Sequence, residues 1–395
     1  MNFNRNSAII IHCTQAKKSG AAKYVNELFS AVRTLIPNAR LVCPADFEHR
    51  HLHPGSSLAC FAPLQGVGRM QKLLSMCRQF SHMNREIINI SQEAKLAIVH
   101  FNFPFLHFLA LLQIIVLKSK RLIVVLTIHD VIPHRWVFPS CLNGVERWVL
   151  KTLYRAADAV LVHHVSQRDT IQAEFGVPSD KVRIIHHGVF RLSNAPLPYQ
   201  SEGEFVALCF GAIRENKGHH LSIEAIQRLR AAGKPARLLI AGSASFGEQK
   251  YWDSCKELIA KRPEGIEVFD GYIHDEDVIS IFQRCSFVLL PYSDFFSQSG
   301  VATMALSSGR AIVSTDSGGL TEMLADGRFG VKIEAPTVDS VEAALLKSVL
   351  IGHAKLAETG TEAYAYFHDN YSWEKAAELQ CRIYDELIDN RMMCV

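Results

Sequence analysis

Several features that would narrow the function are missing from this chain. None of its ten cysteines pairs at Cys-x-x-Cys spacing, and Cys13, Cys209 and Cys285 fall in apolar, strand-like contexts. That pattern favours buried free thiols in a reducing compartment over disulfides. Met1 to Ser7 shows no charged leader running into an apolar core, so no signal peptide is expected. No nucleic-acid-binding motif is present. The longest apolar stretch, Phe101–Leu117, is interrupted by Asn102, Pro104, His107 and Gln113. It is short and polar for a membrane span, and a buried helix is the expectation.

What is there is ordinary in total and uneven in distribution. With 395 residues, 48% of them hydrophobic and 21% charged, the chain exceeds one ordinary core, and two domains follow. The net charge of +3 conceals an asymmetry. Residues 1–195 hold 23 Lys and Arg against 11 Asp and Glu, whereas the remainder holds 19 against 28. The basic half suits an anionic membrane surface or a lipid-phosphate acceptor rather than nucleic acid. Within it, Gly68–Ile88 sets Arg69, Lys72, Arg78 and Arg85 among Met70, Leu73, Leu74, Met76 and Phe80. This helix reads equally as lipid-facing and as an ordinary solvated face.

Short apolar runs alternate with helix-length stretches throughout. Ser7–His12, Leu41–Cys43, Leu96–His100, Leu122–His129, Ala159–His163 and Val182–His186 are the strand candidates of the first half. Leu192–Gly203, with two prolines and little apolar content, reads as a linker. Beyond it come Phe205–Phe210, Arg237–Ala241, Ile266–Phe269, Phe287–Leu290, Ala311–Ser314 and Gly330–Ile333. Such alternation predicts an α/β chain with a doubly wound parallel sheet in each half and ligands at the strand C-terminal ends. The expected division is 1–195, 196–372 and a final amphipathic helix within 373–395. Trp373, Ala376, Ala377, Ile383, Tyr384 and Leu387 mark that helix, with Ser372 as candidate cap.

Residues 285–325 carry the strongest chemical signal. Ser297, Ser299 and Gly300 fall where a helix begins, and free amides there suit a phosphate. A second loop, Asp316–Gly319, opens another helix, so a diphosphate pocket is indicated. Gly211–Gly218 (G-A-I-R-E-N-K-G) sends Arg214 and Lys217 out of a strand end. Both can neutralise a diphosphate leaving group, and a surface pairing with Glu215 is the plain alternative. His129 and Asp130 follow the most apolar run of the first half; they can position or deprotonate a substrate hydroxyl, or merely start the turn before Pro133. Glu322 can accept two ribose hydroxyls or stand as an exposed helical acid. The pairs His163–His164 and His186–His187 lack a carboxylate cluster and read as strand-end polar residues, not metal ligands. Lys17–Gly20 is a small glycine loop in which Gly20 permits close approach to a ligand.

Taken in order, these stretches resemble the GT-B glycosyltransferases, in the large family 4 group. The matching segments are Ser19–Ala21, T-I-H-D at 127–130, V-H-H-V-S at 162–166, I-H-H-G at 185–188 and F-G-A-I-R-E-N-K-G at 210–218. They continue with A-G-S at 241–243, F-D-G-Y-I at 269–273, L-L-P-Y at 289–292, S-Q-S-G-V at 297–301, G-R-A-I-V at 309–313, S-G-G-L-T-E at 317–322 and Y-S-W at 371–373. The resemblance implies two Rossmann-like domains facing a cleft, with the acceptor held by the first and a nucleoside diphosphate sugar (a GDP- or UDP-sugar) by the second. The final helix crosses back to the first domain, and no metal or other cofactor is required. By position, Arg214, Lys217 and the backbone at Gly20, Gly300 and Val301 would hold the diphosphate. Ile273 would meet the base, and His129 the transferring sugar or acceptor.

One departure stands out. The family usually carries two Glu with seven residues between them, and those positions here are Phe296 and Met304. Asp294 or Glu322 is the available substitute, and the anomeric outcome stays open. The expectation is a sugar transfer onto a glycan or lipid-linked acceptor in surface polysaccharide synthesis, at the cytoplasmic face of a membrane. A catalytically silent binding subunit and a nucleotide-sugar epimerase or hydrolase are the alternatives.

Overall fold

The structure, a computed structural model, describes residues 8–60, 68–104, 106–133, 136, 140–199 and 203–393. It forms two compact units. The first comprises residues 1–188 and 373–395, the second 189–372.

In the first unit seven parallel strands are β1 (Ala8–Thr14), β2 (Arg40–Pro44), β3 (Ser57–Cys60), β4 (Leu96–Phe103), β5 (Ile123–Thr127), β6 (Ala159–Val162) and β7 (Val182–Ile184). Their order in the sheet is β3-β2-β1-β4-β5-β6-β7. Helices α1 (Ser19–Leu35), α2 (Arg69–Ser91), α3 (His107–Ser119), α4 (Asn143–Ala156) and α5 (Val165–Phe175) make the crossovers. Side chains on a strand alternate between faces. Ile9, Ile11 and Cys13 therefore meet the buried residues of α2 to α5 in one core, while His12 points to the opposite face.

The second unit has β8 (Phe205–Phe210), β9 (Ala236–Gly242), β10 (Ile266–Asp270), β11 (Phe287–Leu290), β12 (Ala311–Thr315) and β13 (Gly330–Ile333). They are ordered β10-β9-β8-β11-β12-β13, all parallel. Seven helices accompany them: α6 (His219–Ala231), α7 (Gln249–Lys261), α8 (Asp275–Gln283), α9 (Gly300–Ser307), α10 (Gly319–Leu324), α11 (Val338–Ile351) and α12 (His353–Asn370). In each sheet the strand order reverses beside the first strand, which is where doubly wound sheets place ligands.

Helix α13 (Trp373–Met393) belongs to the first unit and packs on α1. The units divide at Gly188–Val189, ahead of the proline-rich linker. Val189 N already donates to Tyr371 O, Ser307 Oγ to Phe190 O, and Leu197 N to Ser308 O. These bonds tie residues 189–197 to the second unit.

Three local expectations change. Strand β3 was not expected, because Ser-Leu-Ala-Cys is short and weakly patterned. The 101–117 stretch is not one buried helix: β4 runs to Phe103, and α3 turns Leu112, Ile115 and Val116 outward. The apolar residues of α2 divide: Met83, Ile87 and Ile90 are buried and Met76, Phe80 and Ile88 pack on the same core, while Met70 and Leu74 near its start are exposed. Among the described residues no helix is long and apolar enough to cross a membrane.

Candidate functional site

The second unit gathers the diphosphate candidates. After β8 the chain turns at Gly211 (φ +90°), whose N donates to Ala241 O; Ile213 N then donates to Ser243 O. A Cβ on Gly242 would lie 1.8 Å from Gly211 O, so only glycine lets these two loops meet backbone to backbone. Arg214 leaves this turn extended and exposed, its Nε 3.0 Å from Ser245 Oγ. One 3₁₀ turn, Glu215–Lys217, ends at Gly218 (φ +67°), where a Cβ would meet Pro291 O at 2.4 Å. The neighbouring Ser293 N donates to Asn216 O at 2.8 Å. The loop after β8 is thereby fixed to the loop after β11.

Lys217 Nζ stands 5.5 Å from the Tyr292 ring centroid. The Tyr292 side chain shares a hydrogen bond with Ser299, and Ser299 Oγ accepts from Ala302 N at 3.2 Å as the cap of α9. Ser299 thus serves the helix with its hydroxyl. The first amides of α9, at Gly300 and Val301, have no acceptor within the helix, and open space lies where a Gly300 Cβ would point. A Cβ on Gly211 would sit 3.5 Å from Val301 Cγ2, so the strand turn and the helix start are neighbours. Burial, then the positive charge of Arg214, pushes the Lys217 pKa down to about 8. A half-buried Lys217 beside Arg214, close to the first amides of α9, forms a site suited to an anion.

Not all of the expected pocket has this form. The turn at Ser317–Gly319 is pressed against residues 295–298: Ser317 Oγ donates to Phe295 O, and Gly319 N to Ser297 O. Leu320 N and Thr321 N bond back to Ser317 O and Gly318 O. The amides of α10 are therefore used internally, which corrects the reading of this loop as a second phosphate cradle. Glu322 sits half-buried on the first turn of α10. Ile273, half-buried against the core, follows β10 in the loop where Gly271 N donates to Gly242 O. Phe296 is 57% exposed, Met304 packs on the core, and Asp294 is exposed at φ +47°.

In the first unit His129 and Asp130 lie just beyond β5. The His129 ring stacks on Phe103 (4.1 Å, 3°) and meets Tyr24 edge-on at 4.7 Å. His163 Nδ1 is 2.9 Å from Ile185 O and so must carry its proton there. Its Nε2 then accepts from His129 Nδ1 at 3.1 Å. His129 Nε2 is buried, and the Asn102 backbone lies within hydrogen-bonding reach of the same ring. Burial, then His163 and His187, holds the His129 pKa well below its ordinary value. Asp130 is half-buried. At the start of α1, Gly20 has open space where a Cβ would point. Among the described residues no cluster of His, Cys, Asp and Glu is built to hold a metal ion, and all nine described cysteines are free.

A second histidine group had not been anticipated. His12 and His100 are register partners on β1 and β4. His100 Nδ1 is 2.5 Å from Tyr384 Oη and its Nε2 2.7 Å from Thr127 Oγ1. Asn102 Nδ2 and Gln380 Nε2 reach the His12 ring at 3.1 and 3.3 Å. The signal lies in the pairing of polar residues at one register level of two apolar strands, with Gln380 and Tyr384 four apart on α13.

Comparison with known proteins defines the class. Residues 18–190 match the family model described as Glycosyltransferase Family 4, and residues 204–349 that described as Glycosyl transferases group 1. The chain belongs to the group 1 glycosyltransferases, and its fold is GT-B. It is 26% identical to glycogen synthase of Mycobacterium tuberculosis over 248 residues, which is 61% of this chain and 56% of that one. It is 25% identical to alpha-maltose-1-phosphate synthase of Mycolicibacterium smegmatis over 288 residues, 66% of this chain and 72% of the other. Thus the chain spans little more than half the length of the first of these relatives. In fold it is similar to Anabaena HepE, solved in complex with UDP and glucose, with a TM-score of 0.73, 16% identity, and coverage of 96% of this chain and 99% of that one.

Proposed function

We propose that this protein transfers a sugar from a nucleoside diphosphate sugar, a UDP- or GDP-sugar, to a glycan or lipid-linked acceptor in surface polysaccharide synthesis. The observation that carries the reading is the Lys217–Tyr292–Ser299 chain. It sets a cation and the start of α9 around one space. In the reaction the bond from the sugar's anomeric carbon to the β-phosphate oxygen breaks, a bond to the acceptor oxygen forms, and that hydroxyl's proton passes to the departing diphosphate. Arg214, Lys217 and the amides of Gly300 and Val301 stabilise the charge gathering on the departing diphosphate. Gly20 gives close backbone approach, Ile273 meets the base and Glu322 the ribose. His129 and Asp130 orient the acceptor hydroxyl. The residues supply this stabilisation without a metal ion or cofactor. HepE, similar in fold, was solved with UDP, which favours a uridine donor.

Phe296 and Met304 favour one second reading, a subunit that binds donor without turning it over. Calorimetry with UDP and GDP, followed by turnover of the matching sugars with and without glycan acceptors, separates the two. Binding with acceptor-dependent release of nucleoside diphosphate supports transfer. Release without acceptor indicates a hydrolase, and binding alone a silent subunit.

A further inference from the structure

Helix α3 is apolar on every side. Leu109, Ala110, Leu111, Ile114 and Leu117 join the core beneath it, yet Leu112, Ile115 and Val116 are 52%, 55% and 38% exposed. A helix on a domain surface ordinarily turns polar residues outward. These three fall at i, i+3 and i+4, a single stripe.

Helix α4 extends the stripe. His107 Nδ1 lies 3.2 Å from Glu146 Oε1 at the first turns of the two helices, and Lys118 Nζ, on the last turn of α3, lies 2.6 Å from Asp158 Oδ1 just past the end of α4. The helices therefore run side by side in one direction. Both send buried residues into the same core, so their outer stripes share the side away from the sheet. On α4 that side shows Val145 and Trp148, 52% and 62% exposed. Contiguous exposed apolar surface of this kind marks a face that something covers.

Charge identifies what covers it. Residues 107–121 and 143–156 hold six Lys and Arg against one acid, Glu146, which is buried against His107; Lys118 and Arg147 are paired with Asp158 and Glu174, which leaves four cations. Lys120, Arg121, Lys151 and Arg155 are exposed. A second copy of the chain would set this basic face against itself, because a two-fold interface pairs a patch with its own image. An anionic bilayer is complementary on both counts.

We infer that the α3–α4 face docks on an anionic lipid surface. Leu112, Ile115, Val116 and Trp148 enter the headgroup boundary, and Lys120, Arg121, Lys151 and Arg155 meet lipid phosphates. The inference deepens the lipid-linked acceptor reading and rests on it for its purpose, but its argument comes from α3 and α4 alone.

The test is sedimentation of the full chain with phosphatidylcholine vesicles, with and without phosphatidylglycerol, alongside UDP calorimetry in the absence of lipid. Binding that requires phosphatidylglycerol and weakens with salt is expected, with a blue shift of tryptophan emission that Trp148→Phe diminishes. Leu112→Glu with Ile115→Glu should weaken vesicle binding at least about tenfold and leave UDP binding unchanged. Should that variant not fold, Lys120→Glu with Arg121→Glu carries the same expectation. Absent or lipid-independent binding, vesicle binding unchanged in the folded variants, or a dimer that those variants dissolve overturns the inference. Loss of UDP binding in the native chain with vesicle binding intact sinks the donor reading instead.

Discussion

Tyr292 links Lys217 to Ser299: its ring lies 5.5 Å from the Lys217 ammonium, and its side chain bonds that of the residue capping α9. An aromatic face beside a half-buried cation partly offsets the cost of burial. It also fixes how far the ammonium can move from the helix start. The diphosphate reading depends on this spacing.

Replacing Lys217 with Ala should lower turnover by about a hundredfold or more, the scale of losing one charged stabiliser of a leaving group. Stability should change by no more than ~1 kcal/mol, since a surface-reaching cation adds little to folding. Steady-state kinetics beside urea unfolding reads both. A native-like rate in the variant removes Lys217 from the mechanism.

Nucleotide binding should depend on pH through the same residue. Free Lys217 titrates near 8 because burial and Arg214 disfavour its charge, and a bound diphosphate favours the charged form. UDP affinity should therefore be full below pH 8 and decline as pH rises past it, with net proton uptake on binding near pH 8. Calorimetry in buffers of different ionisation enthalpy measures that uptake. Lys217→Met should abolish it.

Gly218→Ala combines two penalties: a left-handed backbone at φ +67° and a Cβ 2.4 Å from Pro291 O. A loss of about 1–3 kcal/mol is expected, together with weakened UDP binding as the loop carrying Lys217 shifts. A variant as stable as the parent in urea would show that the loop after β8 is not clamped on Pro291.

Acid should unfold the first unit early. Burial holds His12 and His187 at about 3 and His163 at about 4, with His100 and His129 also well below the ordinary value. The unfolded chain takes up protons at about pH 6.5, where the native state does not. The stabilisation is therefore complete above that pH and is lost as pH falls towards 4, by ~1.4 kcal/mol per pH unit for each such histidine. Calorimetric melting between pH 7.5 and pH 4.5, taken as about the useful range, should show a steep fall. A flat profile would mean these rings are already solvated or charged in the folded protein.

Tyr384→Phe removes the hydroxyl that meets His100 Nδ1 and Gln380 Nε2. Leaving buried polar atoms unpaired should destabilise the first unit by about 1–3 kcal/mol. Hydrogen exchange should localise the loss to α13 and β4. An unchanged unfolding midpoint would show that packing alone holds α13.

The order of apolar runs and helix-length stretches was enough to determine two doubly wound sheets, because period and spacing are properties of the chain itself. Eleven of the thirteen strands correspond to runs with clear flanks, and β7 emerged from Val182–His186 although only Val182–Ile184 pairs. Strand β3 had no such pattern and exists because β2 offers it an edge. The G-A-I-R-E-N-K-G and S-Q-S-G-V segments suggested an anion site by residue type. Only the tertiary structure decided that Ser299 is occupied as a cap and that the amides of α10 bond back onto their own loops. It also showed that His129 is held by Phe103, Tyr24 and His163. Those outcomes rest on side chains brought together from distant segments, a geometry that no local pattern encodes.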